Sequence, residues 1–375
     1  MNTNNMSQAW VLQICHGYEG PFLDCARQYA VLFADTPYKV LTVYLSGKYD
    51  AQVEAESASD EVVFLEYSSK ALRGLKLGAI RAIRHLVSER NFALCIAHRF
   101  KPTYIACLAT RLPVIGVNHA FGVYRRRFRQ WFANAFSKRL MLLGVSNAVR
   151  DDLRASLPAW PDSRIETLYN RIDIDALKAQ QVTRESAREH LGLPQDVWVV
   201  GNVGRLHPDK DQETLIRGFA KALPDLPAGS LLVIVGRGRL EARLRALAEE
   251  LGIEHAVRLL GQIPNAKYYF KAFDVFVLTS DHEPFGMVLL EAMVAGIPLI
   301  CSDCGGGREV VDSVGILFPQ GQIDALSQKV AAVCASQEVE LKSCRSSMVA
   351  RLNDQFSDRA VESRFWALPF LTHLS

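Results

Sequence analysis

The chain has 375 residues, 49% of them apolar and 22% charged, with a formal net charge of +3. That length exceeds what one hydrophobic core ordinarily holds, so two domains are expected, and the near-balanced charge argues against a nucleic-acid surface spread over the chain. No run approaches the roughly 18 apolar residues of a membrane span, and the polar start from Met1 to Gln8 lacks a signal-peptide pattern, which gives a cytoplasmic expectation.

Short apolar runs alternate with stretches of helical period almost from end to end, the rhythm of parallel sheets covered by helices. In the first half, strands are predicted near Trp10 to Cys15, Val40 to Leu45, Val62 to Leu65, Leu94 to Ala97, Val114 to Asn118, Met141 to Val145 and Ile165 to Tyr169. In the second half they fall near Val197 to Asn202, Leu231 to Val235, Val257 to Leu260, Val275 to Leu278, Leu299 to Cys301 and Gly315 to Phe318. A polar stretch from Asp173 to Asp196, ending in Gly192-Leu193-Pro194, marks a boundary and places a hinge there. The fold class is α/β: two Rossmann-like, doubly wound parallel-sheet domains facing a central cleft, over residues 1–175 and 176–355, with 356–375 a helix returning to the first domain. Open parallel sheets bind ligands at the carboxyl ends of their strands, so functional residues are sought there.

The first such loop is His16-Gly17-Tyr18-Glu19-Gly20-Pro21; it lacks G-x-G-x-x-G, which argues against a dinucleotide cofactor. His119 directly follows an apolar strand and is a candidate active-site residue, with His98 and His16 in similar places and a structural role the competing reading. Arg205 and Lys210 follow the first strand of the second half, in a loop with Gly201 and Gly204, where two cations could neutralise a diphosphate. Gly236-Arg237-Gly238 forms another turn at a strand end. The segment Asp281-His282-Glu283-Pro284-Phe285-Gly286-Met287-Val288-Leu289-Leu290-Glu291-Ala292 reads as loop into amphipathic helix, with Pro284 in its first turn. Amides of Phe285, Gly286 and Met287, with Val288 beside them, would then offer an oxyanion-binding helix start. Glu283 and Glu291 could meet two parts of one ligand, a sugar and a ribose diol; two surface glutamates are the plainer alternative.

These motifs resemble the group 1, or family 4, retaining glycosyltransferases of the two-domain GT-B architecture. The resemblance rests on E-P-F-G-x-x-x-x-E-A from Glu283 to Ala292, on Gly201 to Leu206 with Lys210-Asp211, on Val235 to Gly238 and on Gly305 to Glu309. It implies a first domain that presents an acceptor and a second that grips a nucleotide-diphosphate sugar, a UDP-sugar being favoured. By the same resemblance, Arg205 and Lys210 contact the donor diphosphate, and Gly17 borders the phosphates. His119 lies near donor sugar and acceptor, and Arg237, Gln262 and Ile263 lie around the base. Glu283, His119, Arg205 and Lys210 are the implied catalytic set. No cofactor beyond the nucleotide-sugar co-substrate is expected. The acceptor class is a glycan or glycolipid hydroxyl, with lipopolysaccharide core one such setting. A nucleotide-sugar epimerase of the same architecture, or a catalytically dead nucleotide-sugar-binding protein, remain the alternatives.

No metal is expected. Cys301 and Cys304 form a lone C-x-x-C without a second pair of ligands, the eight cysteines read as reduced, and Asp173-Ile174-Asp175 is the one D-x-D of note. Tyr124 to Arg139 is the most basic stretch of the chain and interleaves arginines with aromatics, as helices lying on anionic membranes do; a packing helix with a solvated basic face is the competing reading.

Overall fold

The computed structural model describes residues 8–20 and 22–372. Pro21 of the first loop and the start of the chain up to Ser7, on which the leader expectation rests, lie outside the described residues. The chain divides into two compact units, Met1–Asn170 with Val361–Ser375, and Arg171–Ala360.

In the first unit seven parallel strands, β1 (Trp10–Cys15), β2 (Lys39–Tyr44), β3 (Glu61–Phe64), β4 (Phe92–His98), β5 (Val114–Asn118), β6 (Leu140–Gly144) and β7 (Ile165–Thr167), lie in the order β3-β2-β1-β4-β5-β6-β7. The strands are apolar runs because helices cover both faces: Val11, Leu12 and Ile14 of β1 are fully buried, as are Leu94 and Cys95 of β4. The chain winds outward from β1 to β3 and returns beside β1 as β4, so the loops after β1 and β4 part company at a switch point. The segment from Val361 closes this unit, with Phe365 and Trp366 edge-on to Phe33 and the Trp366 indole donating to the Leu32 carbonyl at 3.2 Å.

In the second unit six parallel strands, β8 (Val199–Val203), β9 (Leu231–Val235), β10 (Val257–Gly261), β11 (Val275–Leu278), β12 (Leu299–Ser302) and β13 (Ile316–Phe318), lie in the order β10-β9-β8-β11-β12-β13. Its switch point falls between β8 and β11. Each apolar run read in the sequence is a strand, with ends displaced by no more than two residues.

Three local readings are refined. First, the 173–196 stretch, read as the boundary, belongs by its packing to the second unit: Arg188 is fully buried, bonds the Ala272 carbonyl at 3.1 Å and shares Asp274 with Arg184. Asp274 also accepts the Val199 amide at 2.7 Å, tying this helical segment to the start of β8. Second, the helix expected from Pro284 begins at Met287 and runs to Val294, and it is not amphipathic, since Leu289, Leu290, Ala292 and Met293 are buried and no residue of it is exposed. Third, Tyr124 and Phe132 of the basic aromatic stretch turn into the core, at 0% and 2% exposure, and only Phe128 and Trp131 stand out, at 57% and 66%.

Candidate active site

In the second unit, the loops leaving β8 and β11 are laced together at the switch point. The Thr279 hydroxyl donates to the Lys210 carbonyl at 2.9 Å, and the Asp281 amide donates to the Asp209 carbonyl at 3.1 Å. This backbone lacing brings two side chains into contact: Lys210 Nζ lies 2.6 Å from Glu283 Oε2, which also accepts the Ser280 hydroxyl at 3.1 Å. The Glu283 carbonyl accepts the Gly306 amide at 2.7 Å, and a Cβ on Gly306 would strike the Pro284 carbonyl, which is why this approach needs glycine. Glu283 is 7% exposed. Arg205 differs from Lys210: its side chain is 73% exposed and only loosely paired, 3.6 Å from Asp209.

The turns after β8, β9 and β10 interlock beside this pair. The Gly236 amide donates to the Gly261 carbonyl at 2.8 Å and the Leu206 amide to the Arg237 carbonyl at 3.0 Å. Gly236 has φ +145°, and a Cβ there would collide with the Gly204 carbonyl, just as one on Gly238 would collide with Leu206. Glycine here permits loop against loop. Arg237 and Gln262 are exposed and Ile263 is half-buried, so these turns present side chains to solvent beside Gly204 and Arg205. Gly201, expected in the loop, lies within β8, where a Cβ would meet the Phe273 ring; its role is packing.

The helix Met287–Val294 starts at Gly286, which adopts φ +98° and has no side chain with which to cap the first-turn amides. That end of the helix carries partial positive charge. Phe285 contributes its backbone, because its ring is buried edge-on against Phe356 at 5.9 Å. Met287 and Val288 are half-buried, and Glu291, four residues after Met287, shares its helix face and is half-buried as well. The second unit therefore gathers Gly204, Arg205, Lys210, Glu283, Gly286 and the neighbouring amides at one sheet edge, with Glu291 one helical turn further on.

Gly17 and His119 belong to the first unit. A Cβ on Gly17 would stand 2.8 Å from the Ser46 hydroxyl, which itself donates to the His16 carbonyl at 2.6 Å, so the loop is pressed on the end of β2. His119 Nε2 lies 3.2 Å from His98 Nδ1, and His98 Nε2 lies 3.2 Å from Gln13 Oε1. The Gln13 amide nitrogen donates to the Ala26 carbonyl at 3.0 Å and the Thr42 hydroxyl at 2.8 Å. These bonds fix the tautomers in sequence: Gln13 Oε1 must accept, so His98 carries its proton on Nε2, and His119 donates from Nε2 to His98 Nδ1. His119 Nδ1 is left as an acceptor, 3.8 Å from the Cys25 thiol. Burial, and then the neighbouring His119, hold His98 well below the usual imidazole value; burial, and then the Arg99 guanidinium, lower His119 to about 4.

Gln13, Cys25 and Arg99 were not singled out in the sequence. One signal for Gln13 was present: a polar residue in the middle of an otherwise apolar strand, where burial demands a partner. Asp173 of the D-x-D caps the helix Ile174–Gln180 by accepting the Ala176 amide at 2.9 Å, while the Cys301 and Cys304 thiols donate to the carbonyls of Ser302 and Ser280. Among the described residues no three His, Cys, Asp or Glu side chains cluster as metal ligands.

A doubly wound α/β unit with cations and an uncapped helix start at its switch point has the chemistry to receive an anionic ligand. Two family models match it in succession, Glycosyltransferase Family 4 over residues 33–176 and Glycosyl transferases group 1 over residues 183–346, and the chain belongs to this group 1 and family 4 glycosyltransferase family. An uncharacterized glycosyltransferase of Methanocaldococcus jannaschii is 33% identical over 177 residues, 45% of this chain and 44% of that protein. The chain thus spans less than half the length of this relative. The N-acetylgalactosamine-N,N'-diacetylbacillosaminyl-diphospho-undecaprenol 4-alpha-N-acetylgalactosaminyltransferase of Campylobacter jejuni is 29% identical over 287 residues, 71% of this chain and 75% of that protein. The crystal structure of a glycosyltransferase from Rickettsia africae superposes with a TM-score of 0.83 at 16% identity, covering 98% of this chain and 99% of that one, a likeness of fold.

Proposed function

We propose that this protein is a retaining, metal-independent hexosyltransferase that moves a sugar from a nucleotide-diphosphate donor, a UDP-sugar foremost, to a hydroxyl of a glycan or glycolipid. The observation that carries the reading is the Lys210 and Glu283 pair at the β8 and β11 switch point, with Arg205 and the Gly286 helix start beside it. Departure of a nucleoside diphosphate builds negative charge on its terminal phosphate. Arg205, Lys210 and the helix end supply positive charge there without a divalent ion. Lys210 has three N–H donors and can keep Glu283 while meeting a phosphate oxygen, so Glu283 is held where it can accept from a sugar hydroxyl. Glu291, further along the helix, suits the ribose diol. The nucleoside diphosphate departs and the acceptor oxygen arrives on the same face of the sugar's anomeric carbon, with the departing phosphate oxygen taking the hydroxyl proton, which retains configuration.

A lipid-linked acceptor at the inner face of the cytoplasmic membrane, as in lipopolysaccharide core assembly, agrees with two observations. The Campylobacter relative is named for a diphospho-undecaprenol acceptor, and Phe128 and Trp131 stand exposed with the exposed Arg126 and Arg127. Among the described residues no helix is long and apolar enough to cross a membrane.

The test is a donor and acceptor matrix with chelator present throughout, reading nucleoside diphosphate release and the anomeric configuration of the product. Transfer with retention is expected. Conversion of donor to an epimer without acceptor, or loss of activity in chelator that magnesium restores, would overturn the corresponding part of the reading.

A further inference from the structure

The first unit holds a concentration of positive charge of its own, on residues other than Arg205 and Lys210 of the second unit. A cavity of about 270 Å³ opens among the loops after β1, β4 and β5, and Arg99, Lys101 and Arg129 line it together with His16 and His119, with no Asp or Glu in its wall. Among the described residues no carboxylate lies within ion-pairing distance of these three cations. Each is instead braced by neutral groups or left in solvent. The Arg99 guanidinium lies 4.8 Å from the centre of the Phe22 ring, and that of Arg129 lies 4.6 Å from the Phe100 ring while donating to the Val123 carbonyl at 2.7 Å. Lys101 is exposed at the mouth. Like charges held together with no counter-ion cost free energy unless an anion offsets them.

The backbone adds a second, independent observation. Arg99 adopts φ +76° and ψ 167°, a conformation reserved almost entirely for glycine, immediately after β4. It is kept there by its amide on the Val117 carbonyl at 2.8 Å and by the Thr103 hydroxyl and amide on its own carbonyl, at 2.9 and 3.2 Å. An arginine in a glycine's conformation places its guanidinium at the switch point, where such strain clusters with function. Arg99 also begins the ten-residue helix Phe100–Ala109 without a side-chain cap, so the partial positive charge of that helix adds to the cavity. Within the same wall, the buried His16 Nδ1 has no hydrogen-bond partner.

We propose that this cavity is a phosphoryl-binding subsite that recognises a phosphate or diphosphate on the acceptor, resting on the reading above that the first unit presents the acceptor. Arg99 and Arg129 clamp the phosphoryl oxygens, Lys101 adds charge at the rim, and Phe22 and Phe100 give the carbon skeleton next to the phosphate an apolar wall. A phosphate ester on a soluble sugar and a lipid-linked diphosphate share this chemistry.

Calorimetric titration of the full chain with inorganic pyrophosphate, with saturating UDP or GDP present, tests it. Wild type should bind pyrophosphate under those conditions, and Arg99→Gly, which suits the backbone conformation, and Lys101→Gln, at an exposed site, should each weaken it at least tenfold. Arg205→Ala should leave that binding in place. A short-chain polyprenyl diphosphate in detergent and a hexose 6-phosphate are then used as competitors: displacement by the lipid alone assigns a lipid-linked acceptor, and displacement by both assigns the phosphoryl group as what is read. Pyrophosphate binding that nucleotide abolishes and Arg205→Ala removes, or that survives Arg99→Gly and Lys101→Gln, overturns the subsite and leaves the donor reading standing. Failure of every nucleotide to bind, with pyrophosphate still lost in Arg99→Gly, overturns the donor reading and leaves the subsite standing.

Discussion

Lys210 Nζ and Glu283 Oε2 stand 2.6 Å apart across the switch point of the second unit, joining side chains 73 positions apart in the chain. Glu283 is nearly buried and Lys210 mostly so, with side-chain exposures of 9% and 17%. A pair at such a depth is costly to break from one side, because the partner stays behind as an uncompensated charge.

Lys210→Ala should therefore lower both stability, by about 3 kcal/mol, and turnover, by on the order of 10² to 10³. The double variant Lys210→Ala with Glu283→Gln should regain much of the stability and none of the turnover. Arg205→Ala, at an exposed site, should lower turnover similarly with no more than about 0.5 kcal/mol of destabilisation. Denaturant unfolding beside steady-state kinetics separates these outcomes; equal stability of the two single variants would refute the argument from burial.

Glu283 and Glu291 should separate kinetically. Glu291→Ala is expected to raise KM for the donor, since a ribose diol deprived of its acceptor costs about 1 to 3 kcal/mol, while Glu283→Ala is expected to act mainly on kcat. The check is a pair of full donor titrations, and identical profiles would reassign both residues.

The histidine pair of the first unit predicts an acid-side loss of stability. Burial lowers both His98 and His119 below the ordinary imidazole value of about 6.5, His119 to about 4, with Arg99 also disfavouring the charged ring of His119. Above pH 6.5 both rings are neutral folded or unfolded, and they contribute nothing. As pH falls from 6.5 towards 4, the unfolded chain takes up protons that the folded rings refuse, so stability falls. Melting temperature followed across that window should decline less steeply in His98→Gln than in wild type; parallel curves would count against the account.

The proposed membrane contact should depend on fewer cations than the sequence offers. Arg125 pairs with Asp152 at 2.9 Å, Arg129 bonds the Val123 carbonyl, and Arg139 bonds the carbonyls of Leu112 and Cys107. That leaves Arg126, Arg127 and the exposed Lys138, with Phe128 and Trp131, as the surface, and Arg126, Arg127 and Trp131 are its adjoining part to change. Arg126→Ser with Arg127→Ser and Trp131→Ser should abolish co-sedimentation with anionic vesicles at low salt, each cation being worth about 1 kcal/mol there. Wild type that ignores such vesicles would make the helix Arg127–Phe136 a packing element only.

The strands were legible because parallel strands covered on both faces must be continuous apolar runs, and Val114 to Asn118 or Leu231 to Val235 can be little else. The residues proposed to hold the donor stood out as candidates because they sit in short local motifs. What lay hidden was relational. Nothing local to Gln13 or His98 reveals that they meet across 85 positions, nor that Tyr124 turns inward while Trp131 does not. The start of the helix at Met287 was misplaced because Pro284 suits a first turn, whereas the left-handed Gly286 sets the boundary.

The hydrogen bonds running from Ala26 through Gln13 and His98 to His119 have one sense only, and that sense reaches the cavity as a proton valve. His119 spends its single N–H inward and offers outward a lone pair, on Nδ1, that a weak and distant thiol donor can yield to a better one. At neutral pH, with protonation opposed by burial and by Arg99, the ring can receive a proton shared by a hydroxyl but has none of its own to give. Reversing Gln13 would turn the valve round: with its carbonyl facing Ala26 and its amide facing His98, the same imidazole would become a donor to whatever lies before it.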